Sequence, residues 1–255
     1  MKIITHILAM LLTAVLILFF INRGLSPLNT DYANTVLDNN RNAVEKHMNE
    51  ASVRILLQLT GFASTVAGDR DFAMKLIVEN DYHAPEVAEI AGRYIRAMGF
   101  SFLEITDADY KILSSGHFPA SAGNIAVAKK EMPDSTLVWM DDNITGAHLL
   151  SIQIKIPFSC EGMDLYCIGG LQVDQNFISA LKPHENSTVL LKQENDILGD
   201  EDIETMSELK DNRIVINDKT WLAFTMPLFW RGETNKPELY ILMEEPENFS
   251  LLDLF

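Results

Sequence analysis

From Ile3 to Ile21 the chain reads IITHILAMLLTAVLILFFI, an apolar run in which only His6 can carry a charge. A helix needs about 20 such residues to cross the hydrocarbon layer of a bilayer, and that requirement separates an anchor, residues 1–24, from everything after it. A cleaved secretory leader is the competing reading, but its apolar core is shorter and runs into small residues at a cleavage site. Here the run ends in Phe19, Phe20, Ile21, Asn22 and Arg23, which suits an uncleaved transmembrane anchor through residues 3–21. Lys2 and the terminal amine favour a cytoplasmic N-terminus, and Arg23 on the far side works against it. The expectation is a single-pass inner-membrane protein with its main domain periplasmic or extracellular.

Between residues 32 and 67 there is no proline and one glycine, and Leu37, Val44, Met48, Ala51, Ile55, Leu59, Phe62 and Val66 recur at spacings of three, four and seven. That is the period of one amphipathic helix. At ~1.5 Å per residue it rises roughly 50 Å, a spine over residues 25–68 leading away from the membrane. Its apolar stripe suits first packing against its own domain and second a seam with the same helix of a second chain, and the two can hold at different heights.

After the spine the period changes. Asp69 or Asp71 can cap a short helix through FAMKLIVEN, Pro85 suits the first turn of a helix through PEVAEIAGRYIRAM, and Gly99 suits its end. Residues 101–106, 110–115, 136–140, 148–158 and 165–173 read as strands, with the clearest alternation in HLLSIQIKIPF. A helix from Asp174 stops at Pro183. The order then recurs on a smaller scale: a strand at TVLLK, a helix at EDIETMSELK, strands at RIVI, TWLAFTMPLFW and ELYILME, and the start of a departing helix at NFSLLDLF. The expected fold class is α+β, with an N-terminal transmembrane helix, a long amphipathic helix and two modules built on antiparallel sheets, residues 69–182 and 183–246, before an exit segment at 247–255.

The 36 acidic residues against 20 basic ones give a formal charge of −16, which repels a phosphate backbone and leaves no basic stripe, so nucleic acid is not an expected partner. No catalytic residue, metal or cofactor is expected either. GxSxG and HExxH are absent, Ser114 and Ser115 near His117 are polar residues of a turn-rich stretch, and GGLQVD at 169–174 has the spacing of neither phosphate-binding loop. Glycines that allow close approach within a strand explain that pair better. Three Asn-x-Ser/Thr triplets, at Asn143, Asn186 and Asn248, matter only in a glycosylating pathway. In IPFSCEGMDLYCIGG, a hairpin centred on Met163 and Asp164 brings Cys160 and Cys167 face to face, and an oxidising compartment then permits a disulfide. A one-residue change of register separates them as two small buried hydrophobes.

Antiparallel sheets wrapped by helices commonly enclose a pocket with aromatic walls and a few polar groups. Tyr94, Arg96, His117, Trp139, Asp141 and His148 are the candidates to line one. Trp139 offers a stacking face and one donor, or plain core packing. Arg96 can grip a carboxylate or cap the last carbonyls of its own helix. Asp141 and Asp142, before NITG, can hold a ligand amine or a cation, or sit solvated in a loop, and His117 and His148 are ordinary hydrogen-bonded residues unless they meet in space.

The order of an anchor, a long helix, two shorter helices and then FLEITDADYKILSSGHFPASAGN resembles the extracytoplasmic Cache sensor domains of bacterial membrane receptors such as sensor histidine kinases and chemoreceptors. CIGGLQVDQNFISAL resembles the strand and helix that close the first PAS-like module of that family, and WLAFTMPLF resembles a sheet strand of the second. Thr106, Asp107, Ala108 and Asp109 follow the family's first turn, while Tyr110 stands where glycine is common. The Tyr/Arg/Trp/Tyr/Asp arrangement of the amino-acid-binding branch is not found, so the resemblance implies no amino-acid ligand. It implies a double Cache-like sensor whose membrane-distal module binds a small molecule and shifts the long helix, in a homodimer or beside a partner receptor. The family continues into a second span and a signalling domain, so a chain ending at Phe255 reads as a truncated or split receptor, or as a sensor that signals through another protein. A non-catalytic periplasmic module that binds a protein partner, without a small-molecule ligand, is the second reading.

Overall fold

The computed structural model describes residues 2–144, 147–183, 187–194, 196–199, 203, 205–232 and 234–244, with side chains from Asn34 onward except at 143, 144 and 147. The side chains of the anchor stretch 3–21 and of the three triplet asparagines, and all of segment 247–255, lie outside the described residues. Among the described residues no helix is long and apolar enough to cross a membrane.

One helix, α1 (Lys2–Ala67), carries the spine. Leu37, Val44, Met48, Ile55, Leu59, Phe62 and Val66 are each at most 7% exposed, so the apolar stripe packs on its own domain, and a seam with a second chain does not use it. Asp69 caps α2 (Arg70–Ala73) by accepting from the backbone N–H groups of Asp71 and Phe72. The chain continues through a wider turn at Met74–Val78. Where one helix is expected over PEVAEIAGRYIRAM, two form: α3 (Pro85–Ala88), opening on Pro85, and α4 (Ile90–Met98), closed by Gly99 in the left-handed region.

The first sheet takes β1 (Phe102–Asp107), β2 (Ile112–Ser115), β3 (Val138–Ile144), β4 (Ala147–Cys160) and β5 (Met163–Gln172). A short helix, α5 (Val127–Lys130), lies between β2 and β3, and α6 (Gln175–Ala180) follows β5. The second sheet takes β6 (Ser187–Gln193), β7 (Asp196–Gly199), β8 (Arg213–Ile216) and β9 (Lys219–Met226). The final strands are β10 (Trp230–Arg231) and β11 (Glu238–Glu244). The strand orders are β10-β3-β4-β5-β1-β2 and β7-β6-β11-β9-β8. All neighbours are antiparallel except β10, which pairs parallel to β3 with Trp230 opposite Trp139. A piece of the C-terminal third therefore extends the first sheet.

Period-2 alternation splits the first sheet into two faces. Leu103, Ile105, Ile152, Ile154, Ile156, Leu165 and Cys167 join the core with the upper half of α1. At its foot, Leu37 meets Met243, and the Arg41 guanidinium lies 4.6 Å from the Phe224 ring centroid. Val189, Leu191, Leu239 and Ile241 of the second sheet belong to the same core, so one helix runs along both sheets. The other face of the second sheet, with Leu190, Ile214, Ile216, Trp221, Tyr240 and Leu242, is covered by Ile203, Met206 and Leu209. The described part of EDIETMSELK is not the expected helix. Met206 bridges Ile216 and Lys210 bridges Arg213, and Ile203, Met206 and Leu209 pack onto this cluster.

The β4–β5 hairpin turns at Glu161 and Gly162, both with positive φ (47° and 86°), the two-residue turn that matches strand twist. Cys160 consequently pairs with Met163, and Cys167 with Ile156. The expected hairpin centre at Met163 and Asp164 is thereby corrected, and with it the Cys160–Cys167 disulfide: both thiols are free and buried. Burial also pushes the Cys167 thiol well above its ordinary pKa. Added reductant is expected to leave the thermal unfolding midpoint unchanged. Tyr110, in the usual glycine place, adopts φ 63°. Its ring stacks on Tyr166 with centroids 5.0 Å apart, and its hydroxyl accepts from Lys155 Nζ at 2.9 Å, contacts that offset the roughly 1 kcal/mol or more of a left-handed non-glycine residue.

A buried polar face as the candidate functional site

Strands β1, β3, β4 and β5 turn Glu104, Thr106, Met140, Asp142, Ser151, Gln153, Lys155 and Tyr166 to the face away from α1, as their registers require. Residues 116–135, between β2 and β3, cover this face. Met132 packs with Val138, Met140 and Ile168, the Ala126 N–H donates to Tyr110 O, and the Ser135 N–H donates to Lys155 O. Beneath the cover, Glu104, Thr106, Ser115, Lys129, Ser151, Gln153 and Lys155 are all buried. So many polar groups inside require partners, and most have them.

Lys129, arriving from α5, donates to Asp142 Oδ1 at 2.5 Å and to Gln153 Oε1 at 2.6 Å. Asp142 Oδ2 accepts from Ser151 Oγ at 2.8 Å and from Gln153 Nε2. Farther along the same face the Lys155 ammonium lies against the stacked Tyr110 and Tyr166 rings, 5.0 and 4.9 Å from their centroids, with Asp134 at 3.3 Å. Two cations thus sit inside, each beside a carboxylate.

On β1 the accounting does not close. His117 Nδ1 accepts from the Leu103 N–H at 3.5 Å and lies 3.3 Å from Ser115 Oγ, so the neutral ring carries its proton on Nε2, 3.6 Å from Glu104 Oε1. Glu104 Oε2 and Thr106 Oγ1 are buried with no hydrogen-bond partner. Burial raises the Glu104 pKa above the carboxylate range, with Lys129 opposing and Asp142 adding to the shift. Burial lowers that of His117, and Lys129 adds to it.

The two shifts act on stability with opposite signs. Folded Glu104 keeps its proton to higher pH than the unfolded chain does, so its contribution is complete below the unfolded pKa and is lost as pH rises through the folded one. Folded His117 stays neutral where the unfolded chain is protonated, so its contribution is present above the unfolded pKa and is lost as pH falls through the folded one. Glu104→Gln removes only the first effect. Its urea midpoint is expected to gain on wild type as pH rises from the acid range through neutrality; a difference that does not change with pH would contradict a buried, proton-holding Glu104.

Of the residues expected at a pocket, His117 lies on this face. Trp139 is buried on the opposite face, edge-on to Phe177 with centroids 6.3 Å apart. Tyr94 packs on Phe62 of α1, centroids 5.2 Å apart. Arg96 is exposed on α4, where its carbonyl accepts from the Gly99 N–H. Asp141 pairs with His148 Nδ1 at 2.9 Å on the Trp139 side, near β10. The structure therefore brings Asp141 and His148 together away from His117. Asp142, weighed beside Asp141 as a holder of an amine or a cation, is on this face; Glu104, Lys129, Gln153 and Lys155 were not among the candidates. The signal for Gln153 and Lys155 was legible: in HLLSIQIKIPF they alternate with Ser151 as polar positions on a strand with neighbours on both sides, where polar side chains need a buried role.

No protein-family model and no curated protein matches the sequence. Solved structures do. The sensory domain of the Campylobacter jejuni chemoreceptor Tlp3 is similar at a TM-score of 0.53 and 12% identity, over 88% of this chain and 97% of that one. The periplasmic domain of Vibrio cholerae LuxQ is similar at 0.50 and 9% identity, over 83% of this chain and 99% of that one. With α1 running beside two largely antiparallel sheets, this chain shares the Cache-like fold of these two receptor domains.

Proposed function

We propose that the chain is a membrane-anchored extracytoplasmic sensor whose first sheet binds a small molecule on its buried polar face. Glu104 Oε2 and Thr106 Oγ1, buried and unpartnered on one strand of that face, carry the reading. Each such atom costs about 1–3 kcal/mol, and a ligand that hydrogen-bonds to them removes that cost. The fold shared with a chemoreceptor sensory domain supports it. Residues 3–21 are the anchor, with the N-terminus cytoplasmic, 69–182 the membrane-distal module and 183–246 the membrane-proximal one.

The signal leaves through α1. A Cβ on Gly169 would lie 2.7 Å from Leu59 Cδ2, so the helix sits directly on β5, whose other side chains line the binding face. A ligand that prefers one strand geometry biases the helix position, and a few kcal/mol of differential affinity suffices. Val53 and Leu57, one turn apart on the outer side of α1, are 47% and 67% exposed, which favours a homodimer or a partner receptor seated there. The same patch favours the second reading, a module that binds protein alone. A thermal-shift screen of the full chain against amines, organic acids and polyols separates the two: stabilisation by one class supports sensing, and silence across all three favours the protein-binding module.

A further inference from the structure

The cover over the polar face is inside out at one point. Ile125 and Val127 are 64% and 70% exposed, yet Lys129, two residues on, is 7% exposed. It comes from a four-residue helix with no side-chain cap, and its ammonium contacts Asp142 Oδ1, Gln153 Oε1 and, at 3.9 Å, Met140 Sδ. Asp142 is held from behind by Ser151 and Gln153. A carboxylate, an amide oxygen and a thioether converging in a dry site select an ammonium group. A side chain that enters from a short uncapped helix and leaves its apolar neighbours in water is an occupant that another ammonium group can replace.

We propose that Asp142 and Gln153, positioned by Ser151, form an ammonium subsite that Lys129 fills as a tethered internal ligand, and that the sensor's ligand is an organic amine that displaces it. This rests on the sensing role of the same face. Lys129 leaves Glu104 Oε2 and Thr106 Oγ1 unpartnered, whereas a free amine with a second hydrogen-bonding group can take over its contacts and reach them as well. An organic acid or a neutral polyol brings no charge to replace the ammonium in front of Asp142. Displacement frees Lys129 for solvent and releases the cover between its backbone attachments at Ala126 and Ser135. Lys129 thereby weakens the apparent affinity by the fraction of time it occupies the site.

The test uses the full chain as wild type, Lys129→Ala and Lys129→Ala/Asp142→Ala, with n-butylamine, ethanolamine, butyrate and butanol as probes. In Lys129→Ala the amines are expected to raise the unfolding midpoint by about 5 °C near saturation, with an apparent Kd at least about tenfold tighter than in wild type. Butyrate and butanol are expected to do nothing, and removing Asp142 abolishes the amine effect. In wild type, which needs no variant to fold, ethanolamine at saturation is expected to speed hydrogen exchange in residues 116–135 while raising the midpoint. Slowed exchange there, or an amine effect that survives the loss of Asp142, overturns the proposal. Stabilisation of wild type by butyrate or by polyols with the amines silent overturns the ammonium subsite and leaves the sensing role standing, and silence of every compound in wild type and variant alike overturns both.

Discussion

Gly170→Ala is expected to cost at least about 3 kcal/mol, above the usual range for an overpacked core, and with it much of a typical 5–15 kcal/mol of stability. A Cβ at this position would lie 1.9 Å from the Ile152 carbonyl oxygen and 2.9 Å from Gln153 Cα. Both atoms are backbone of β4, and Gly170 stands opposite Gln153 in the register, so neither can rotate away as a side chain would. Relief requires β4 and β5 to separate within their pairing, where both strands also have neighbours on their other sides. Gly169→Ala is the control. Its Cβ would meet Leu59 Cδ2 at 2.7 Å and the Phe100 ring at 2.9 Å, ends of side chains that can yield at a cost of about 1–2 kcal/mol. Urea unfolding of the two variants beside wild type reads the difference, and a Gly170→Ala midpoint equal to that of Gly169→Ala would remove the close approach as its cause.

That glycine pair shows what the sequence discloses well. Elements that bury one face against another announce their period, and so the stripe of α1, the strands of the first sheet and the close approach at GGLQVD were legible. Turn geometry was less so. Met163–Asp164 and Glu161–Gly162 are both plausible hairpin centres, and the choice falls to the pair that tolerates positive φ. That shift of two residues parts Cys160 from Cys167. The candidate site was largely hidden for a different reason. His117 was found because histidine is conspicuous in a short loop, and Trp139 was misplaced because a strand tryptophan faces either side according to a parity that local pattern leaves open. Lys129 was invisible, since a lysine among Ile125, Val127 and Lys130 reads as surface. Only the pairing of β3 with β4, which puts Asp142 on the same face as Ser151 and Gln153 and within their reach, creates the acceptor that draws it inward. Tyr110 lies between these cases: the sequence marks it as the departure from a glycine turn, and the reason, a ring stacked on Tyr166 beneath Lys155, needs strands distant along the chain.

Asp142→Ala is the second substitution with a large expected effect, a loss of about 3–5 kcal/mol, because it leaves the Lys129 ammonium buried without its counter-charge. Gln153 Oε1 remains, but an amide dipole does not replace a carboxylate, and the hydrogens of Ser151 and Gln153 that pointed at Oδ2 lose their acceptor as well. Lys129→Ala is expected to cost a similar amount for the mirror reason, an unpaired carboxylate. The double variant decides the matter. Taking both charges out together removes the desolvation cost along with the attraction and leaves mainly a cavity, and buried ion pairs replaced as a unit are often near neutral. Lys129→Ala/Asp142→Ala should therefore be more stable than either single variant, with a coupling of about 3 kcal/mol across the cycle. Additive losses would mean that Lys129 reaches solvent in the free protein and that its ammonium is not held by Asp142. A lysine so held cannot leave cheaply by itself, which is why the occupant that replaces it has to carry the same charge.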